Sequence, residues 1–139
     1  MYILDTDHLS VLDRGGVQAR RLLQKLADVD STQVATSIIS YEEQMRGWLS
    51  YGAKAQTIEQ EMEAYKQLKR QLTNYCAILV LEFDDEAARE FQRLKKLYPR
   101  LGRMDLKIAS IALVHQAIVL TRNSGDFGRI VGLSIDDWT

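Results

Sequence analysis

The chain has 139 residues, 46% of them hydrophobic and 27% charged, the balance of a globular domain long enough for one core and too short for two. Its 18 basic and 19 acidic residues leave a net charge of −1, too near neutral to mark or exclude a polyanionic partner, so only the distribution of charge is informative. The single Cys76 excludes an internal disulfide, and His8 and His115 are too few for a Cys/His zinc site. With no leader-like start and no apolar run of membrane-spanning length, the expectation is one cytoplasmic domain over 1–139 with no membrane partner.

The first predicted element is a strand, Tyr2–Asp5, an apolar run that ends abruptly on Asp5, with Asp7 close behind. A carboxylate at the end of a buried strand is costly to desolvate unless something pairs with it. Asp7 reads as the cap of a short helix starting near His8, and a further helix is marked by Val17, Leu22, Leu23 and Leu26. The second strand is Val34–Ser37. Glu42 and Glu43 begin the next helix, marked by Tyr41, Met45, Trp48 and Leu49, and Ser40-x-x-Glu43 fits a capping box. From Ala53 to Tyr75 the stripe Ile58, Met62, Tyr65, Leu68, Leu72 predicts a long helix, with core packing expected for most of those positions. A third strand, Ile78–Leu81, leads to a helix over Glu86–Tyr98. Pro99 and Gly102 punctuate the loop before another helix, Asp105–Gln116. The fourth strand, Ile118–Thr121, is followed by the loop TRNSGDF, and a weaker fifth is Leu133–Ile135. Short, nearly continuous apolar strands alternating with helices predict an α/β fold whose parallel sheet is covered on both faces.

In such a sheet ligands sit beyond the carboxyl ends of the strands, and acids collect there. Asp5 closes the first strand, Glu42 and Glu43 follow the second, Asp105 opens the helix before the fourth, and Asp126 follows the fourth. Taken singly, Asp105 suits the positive end of a helix and Asp126 a turn. Together, crowded carboxylates repel unless cations lie among them, and oxygen-only clusters suit Mg²⁺ or Mn²⁺. Arg93, Lys95, Lys96, Arg100, Arg103 and Lys107 form a basic run with Asp105 the only acid between Arg93 and Lys107. Arg103 and Lys107 flank Asp105 and are the candidate phosphate contacts, the alternative being a solvated helix face.

With these residues in place the chain resembles the PIN-domain nucleases, specifically the VapC-type toxin ribonucleases, essentially end to end. The resemblance runs through Leu4-Asp5-Thr6, then Ser40, Glu43 and Gly47, then GRMDLKIAS, and last TRNSGDFGRIVGLSIDDW. It implies a PIN-like three-layer α/β/α sandwich with a central parallel sheet of about five strands, and an endoribonuclease acting as the toxin of a toxin–antitoxin pair. It implies Asp5, Glu43, Asp105 and Asp126 as catalytic carboxylates binding Mg²⁺ or Mn²⁺, supported by Thr6 and Asn123. The choice of Glu43 comes from the family pattern, because a helical wheel places Glu42 nearer the apolar stripe. Asp7 departs from the family's frequent Asn. The implied partners are RNA, a small VapB-like antitoxin lying over the groove, and a second copy in a homodimer. Trp48 and Tyr51 are the candidates for a partner-facing patch. The reaction expected is metal-assisted hydrolysis by water attacking in line, leaving a 5′-phosphate and a 3′-hydroxyl, with no covalent intermediate and no role for Cys76, His8 or His115.

Two other functions fit part of the sequence. Asp5-Thr6-Asp7 matches the D-x-D opening of haloacid-dehalogenase-type phosphatases, with Asp5 as nucleophile and Asp7 as general acid, but Glu43 and Asp105 are then unexplained. A catalytically inert PIN-fold binding module is the non-enzymatic alternative, and retention of all four acids weighs against it.

Overall fold

Strands β1 (Tyr2–Leu4), β2 (Val34–Ser37), β3 (Leu79–Leu81), β4 (Ile118–Leu120) and β5 (Ser134–Asp136) form one sheet in a computed structural model that describes residues 1–139. All pairs are parallel and the order is β3-β2-β1-β4-β5. The chain thus winds outward from β1 in both directions, and the loops after β1 and β4 diverge at the switch between them. Between the strands lie α1 (Thr6–Arg14), α2 (Val17–Ala27), a 3₁₀ turn at Ser31–Gln33, α3 (Ile38–Ala53), α4 (Ile58–Cys76), α5 (Asp85–Leu97), α6 (Arg103–Val114) and α7 (Ser124–Phe127).

The two-residue period of the strands divides the core into two. Ile3 pairs in register with Val119, and both bury against Ile39, Leu94, Ile108, Ile111 and Phe127. Leu4 pairs with Leu120, and both point the other way, toward Leu22 and Trp138. Each such aliphatic side chain, fully enclosed, contributes about 1.5–3 kcal/mol relative to exposure. Helices therefore cover both faces of a five-stranded parallel sheet, as the strand pattern predicts, with α5 and α6 over one face and α1 and α2 over the other.

Several elements differ from expectation. The strands end a residue short of Asp5 and Thr121, and β5 lies one residue later than predicted. Helix α1 begins at Thr6, so its cap is Asp5 and not Asp7. Helix α3 begins at Ile38 with Ser37 as its cap, whose hydroxyl accepts the Ser40 N–H. Ser40 therefore lies inside the helix, and the Ser40–Glu43 capping box does not form. Helix α4 starts at Ile58, because Thr57 caps it by accepting the Gln60 N–H at 3.2 Å.

Four of the five residues in the predicted inward stripe of α4 face outward, and only Leu68 is half-buried. Ile58, Met62, Tyr65 and Leu72 are 58–73% exposed, while Ala64, Gln71 and Tyr75 form the buried side. The α3–α4 hairpin explains this. It packs so closely that a methyl added at Gly52 would stand 3.1 Å from the Ala64 Cβ. Small residues decide which side of α4 can approach α3, and polar links secure that side: Tyr75 donates to Gln44 of α3 at 2.6 Å and Gln71 to Asp13 of α1 at 2.8 Å. Trp48 is partly buried and Tyr51 is exposed, their rings edge to face at 5.5 Å.

Candidate active site

Strand β1 delivers Asp5 to the carboxyl edge of the sheet, its N–H still bonded to Leu120 O of β4 at 3.0 Å. The side chain turns back to cap α1, Oδ1 accepting the Thr6 N–H at 2.7 Å and Oδ2 the Thr121 hydroxyl at 2.9 Å. At 6% exposure it has lost most of its water. Burial first, then the charge of Asp7 and to a lesser degree Asp105, pushes its pKa up to about 7 against the lowering effect of the Thr6 and Thr121 bonds.

Thr6, the first residue of α1, reaches across to α3. Its hydroxyl donates to Glu43 Oε1 at 2.8 Å and lies 3.0 Å from the Ser40 hydroxyl. Glu42, one residue earlier, turns outward and pairs with Arg46. The ambiguity between the two glutamates is thereby resolved geometrically: Glu43 faces the β1 edge. Asp105 stands in the first turn of α6, and Asp126 in the first turn of the short α7. The Asn123 amide joins them, with Nδ2 at 3.3 Å from Asp105 Oδ2 and 3.2 Å from Asp126 Oδ2. Asn123 Oδ1 in turn accepts the Asp126 N–H at 3.4 Å. Burial and then the charges of Glu43, Asp126 and Asp7 raise the Asp105 pKa to about 6.

Asp5, Glu43, Asp105 and Asp126, from four distant parts of the chain, thus surround one mouth at the β1/β4 switch, braced by Thr6 and Asn123. None of the four is ion-paired with a lysine or arginine. Arg103 and Lys107 flank Asp105 in sequence, yet their charges lie over aromatic rings. Arg103 Cζ is 5.3 Å from the Phe91 centroid, and Lys107 Nζ is 5.7 Å from the Phe83 centroid. Asp7 is neither a cap nor free: Oδ1 faces His8 Nδ1 at 2.8 Å and Oδ2 accepts the Arg122 N–H at 2.9 Å. Sequence reasoning gave Thr121 no role, although its position at the end of a buried strand beside Asn123 was a usable signal.

A family model described as the PIN domain matches residues 2–133. The chain belongs to the PIN-domain family. Ribonuclease VapC1 of Haemophilus influenzae strain R2866 is 30% identical over 145 residues, covering 100% of this PIN domain and 98% of the relative. In three dimensions this PIN domain is similar to a toxin-antitoxin complex chain from Klebsiella pneumoniae, with TM-score 0.73, 24% identity, and 100% and 98% of the two chains covered. VapBC-1 from nontypeable Haemophilus influenzae gives TM-score 0.73, 23% identity and coverage of 99% and 97%. FitAcB from Neisseria gonorrhoeae gives 0.75, 21%, and again 99% and 97%. At these identities the structural likeness establishes the fold.

The donor set of this PIN domain suits a divalent cation with oxygen ligands. No three acids converge closely enough to cage an ion unaided. Mg²⁺, however, keeps several of its waters and needs only one or two carboxylates from a protein. Burial first, and then neighbouring carboxylates, raise the pKa values of Asp5 and Asp105, and no basic side chain pairs with either to offset that cost. For a phosphatase of the D-x-D type, the arrangement is poor, because both Asp7 oxygens are engaged and no lysine pairs with Asp5.

Proposed function

We propose that this PIN domain is a Mg²⁺- or Mn²⁺-dependent endoribonuclease, the toxin of a toxin–antitoxin pair, with Asp5, Glu43, Asp105 and Asp126 holding the cation directly or through its bound waters. The observation that carries this reading is the gathering of these carboxylates at the switch point with two of their pKa values raised and no basic partner. The cation would supply positive charge to the scissile phosphate and lower the pKa of the attacking water. The chain's own residues do the positioning. Thr6 holds Glu43 toward Asp5, Thr121 fixes Asp5 from the β4 side, and the Asn123 amide sets the spacing of Asp105 and Asp126. In-line attack would leave a 5′-phosphate and a 3′-hydroxyl, and no protein nucleophile is required. Purified protein incubated with total RNA is expected to cleave it with Mg²⁺ or Mn²⁺ and not with EDTA. Cleavage that persists in EDTA would sink the metal-dependent mechanism.

Arg103 and Lys107 are assigned to the RNA backbone, because they flank Asp105 in sequence and their charges rest over the Phe91 and Phe83 rings without a carboxylate partner. Arg103→Ala and Lys107→Ala are each expected to weaken single-stranded RNA binding and to lower the slope of log K against log salt by about 0.7. An unchanged slope would remove the residue from the interface. The antitoxin is assigned to the α3–α4 hairpin, where Leu49, Tyr51, Ile58, Met62 and Tyr65 stand exposed. Support comes from the toxin–antitoxin complexes among the chains of similar fold.

A further inference from the structure

One fully enclosed titratable side chain, His8, takes no part in the chemistry above. It lies in the first turn of α1, where the neighbouring core position, Val11, is filled by an ordinary apolar residue. An imidazole there carries a desolvation cost that an aliphatic side chain would not, and its hydrogen bonds show what it does. Nε2 accepts the Trp138 backbone N–H at 3.2 Å. A peptide nitrogen only donates, so the ring proton resides on Nδ1, which donates to Asp7 Oδ1 at 2.8 Å. The remaining contact of Nε2, Asp137 Oδ1, is longer, at 3.5 Å.

The consequence reaches Asp5 through Thr121. Its hydroxyl is 2.9 Å from Asp5 Oδ2 and 3.2 Å from Asp7 Oδ2, and it accepts the Asn123 N–H at 3.0 Å. It has one hydrogen to give. Asp7 already receives two donors, His8 Nδ1 and the Arg122 N–H at 2.9 Å, whereas Asp5 otherwise receives only the Thr6 N–H. With Asp7 satisfied, the Thr121 hydrogen goes to Asp5. Without His8, Asp7 is short of a donor, free to rotate, and competes for the same hydrogen.

We propose that His8 is a positioning residue: held by the Trp138 N–H of the segment after β5, it orients Asp7, leaves the Thr121 hydroxyl to Asp5, and so presets the carboxylate mouth for a divalent cation. The inference rests on the cation-binding reading of that mouth. Its test is Mn²⁺ affinity by calorimetry in wild type, His8→Leu, His8→Asn, Asp7→Asn and the His8→Leu/Asp7→Asn double variant. His8→Leu is expected to weaken Mn²⁺ binding about 10-fold or more, as loss of an outer partner of a metal site does. The double variant is expected to bind no worse than the weaker single one, because both changes break one chain of contacts. His8→Asn, whose amide keeps a donor near the position of Nδ1, is expected to recover most of the affinity. His8→Gln serves if the leucine variant fails to fold, since its amide reaches toward Trp138 and not Asp7, and the same loss is expected. Multiplying effects in the double variant, or wild-type affinity in His8→Gln, would overturn the inference while leaving the cation site in place. A wild-type protein that binds no Mn²⁺ would overturn the cation reading itself, and this inference with it.

Discussion

Replacing Asp5 with Asn is expected to abolish RNA cleavage, by about 100-fold or more, and at the same time to raise the melting temperature of the metal-free protein. The loss follows from removing the carboxylate charge at the centre of the mouth. The gain follows from the cost of holding that charge in a buried position beside Asp7, which lifts the pKa to about 7. Asn is as good a helix cap as Asp, and its side chain can still accept from Thr6 N–H, so the local structure of α1 is kept. At pH 7.5 the stabilisation is on the order of 2 kcal/mol, or about 5–8 °C for a domain of this size. Cleavage assays and thermal melts in EDTA check the two parts separately. A variant that loses activity and also melts lower would make Asp5 a structural cap whose loss disturbs the site indirectly. Such opposition between stability and function is what a preorganised, charge-crowded site entails.

In EDTA the protein is expected to become less stable as pH rises from about 4 to 7.5, the reverse of the usual carboxylate behaviour. The direction follows from proton binding. In the unfolded chain Asp5 and Asp105 titrate near 3.8, whereas in the fold they titrate near 7 and near 6. Between those values the native state holds protons that the unfolded state has released, so the free energy of unfolding falls with pH. The stabilisation is complete below the unfolded pKa and is lost as pH passes through the folded ones. Asp5 alone accounts for a change on the order of 3 kcal/mol, and Asp105, partly exposed, for less. Asp30 and Asp137, whose pKa values are lowered, lose their contribution only in more acid solution, so they leave this window clear. Mn²⁺ at saturating concentration is expected to flatten or invert the slope, because a bound cation takes the place of the protons. Urea unfolding at pH 4.5, 6 and 7.5, with and without Mn²⁺, measures both effects, and stability that climbs with pH in EDTA would contradict the crowded-carboxylate picture.

These expectations rest on residues whose importance was legible to different degrees. Asp5 stood out because an apolar run ending on a carboxylate needs a reason, and the fold supplies it at the sheet's central strand. Asp105 and Asp126 were ordinary helix-start and turn residues until α6 and α7 brought them to one Asn123 amide. Glu43 was indistinguishable from Glu42 by helical position, and the Thr6 hydroxyl and the Arg46 side chain separate them. The Asp7–His8–Trp138 chain had no local signal, since His8 and Trp138 are 130 residues apart.

By itself, then, the sequence determined the kinds of element and their order, because side-chain periodicity is local: two residues for a strand, 3.6 for a helix. The run of apolar strands between helices was enough for a parallel sheet, and the strand ends were enough to locate the mouth. Only the tertiary structure decided which face each helix buries and which partner each polar group takes. The α4 stripe shows why: Ile58, Met62, Tyr65 and Leu72 mark an amphipathic helix, but the contact between Gly52 and Ala64 turns that stripe to solvent. Burial and hydrogen-bond pairing depend on neighbours distant in sequence, and no window along the chain contains both members of such a pair.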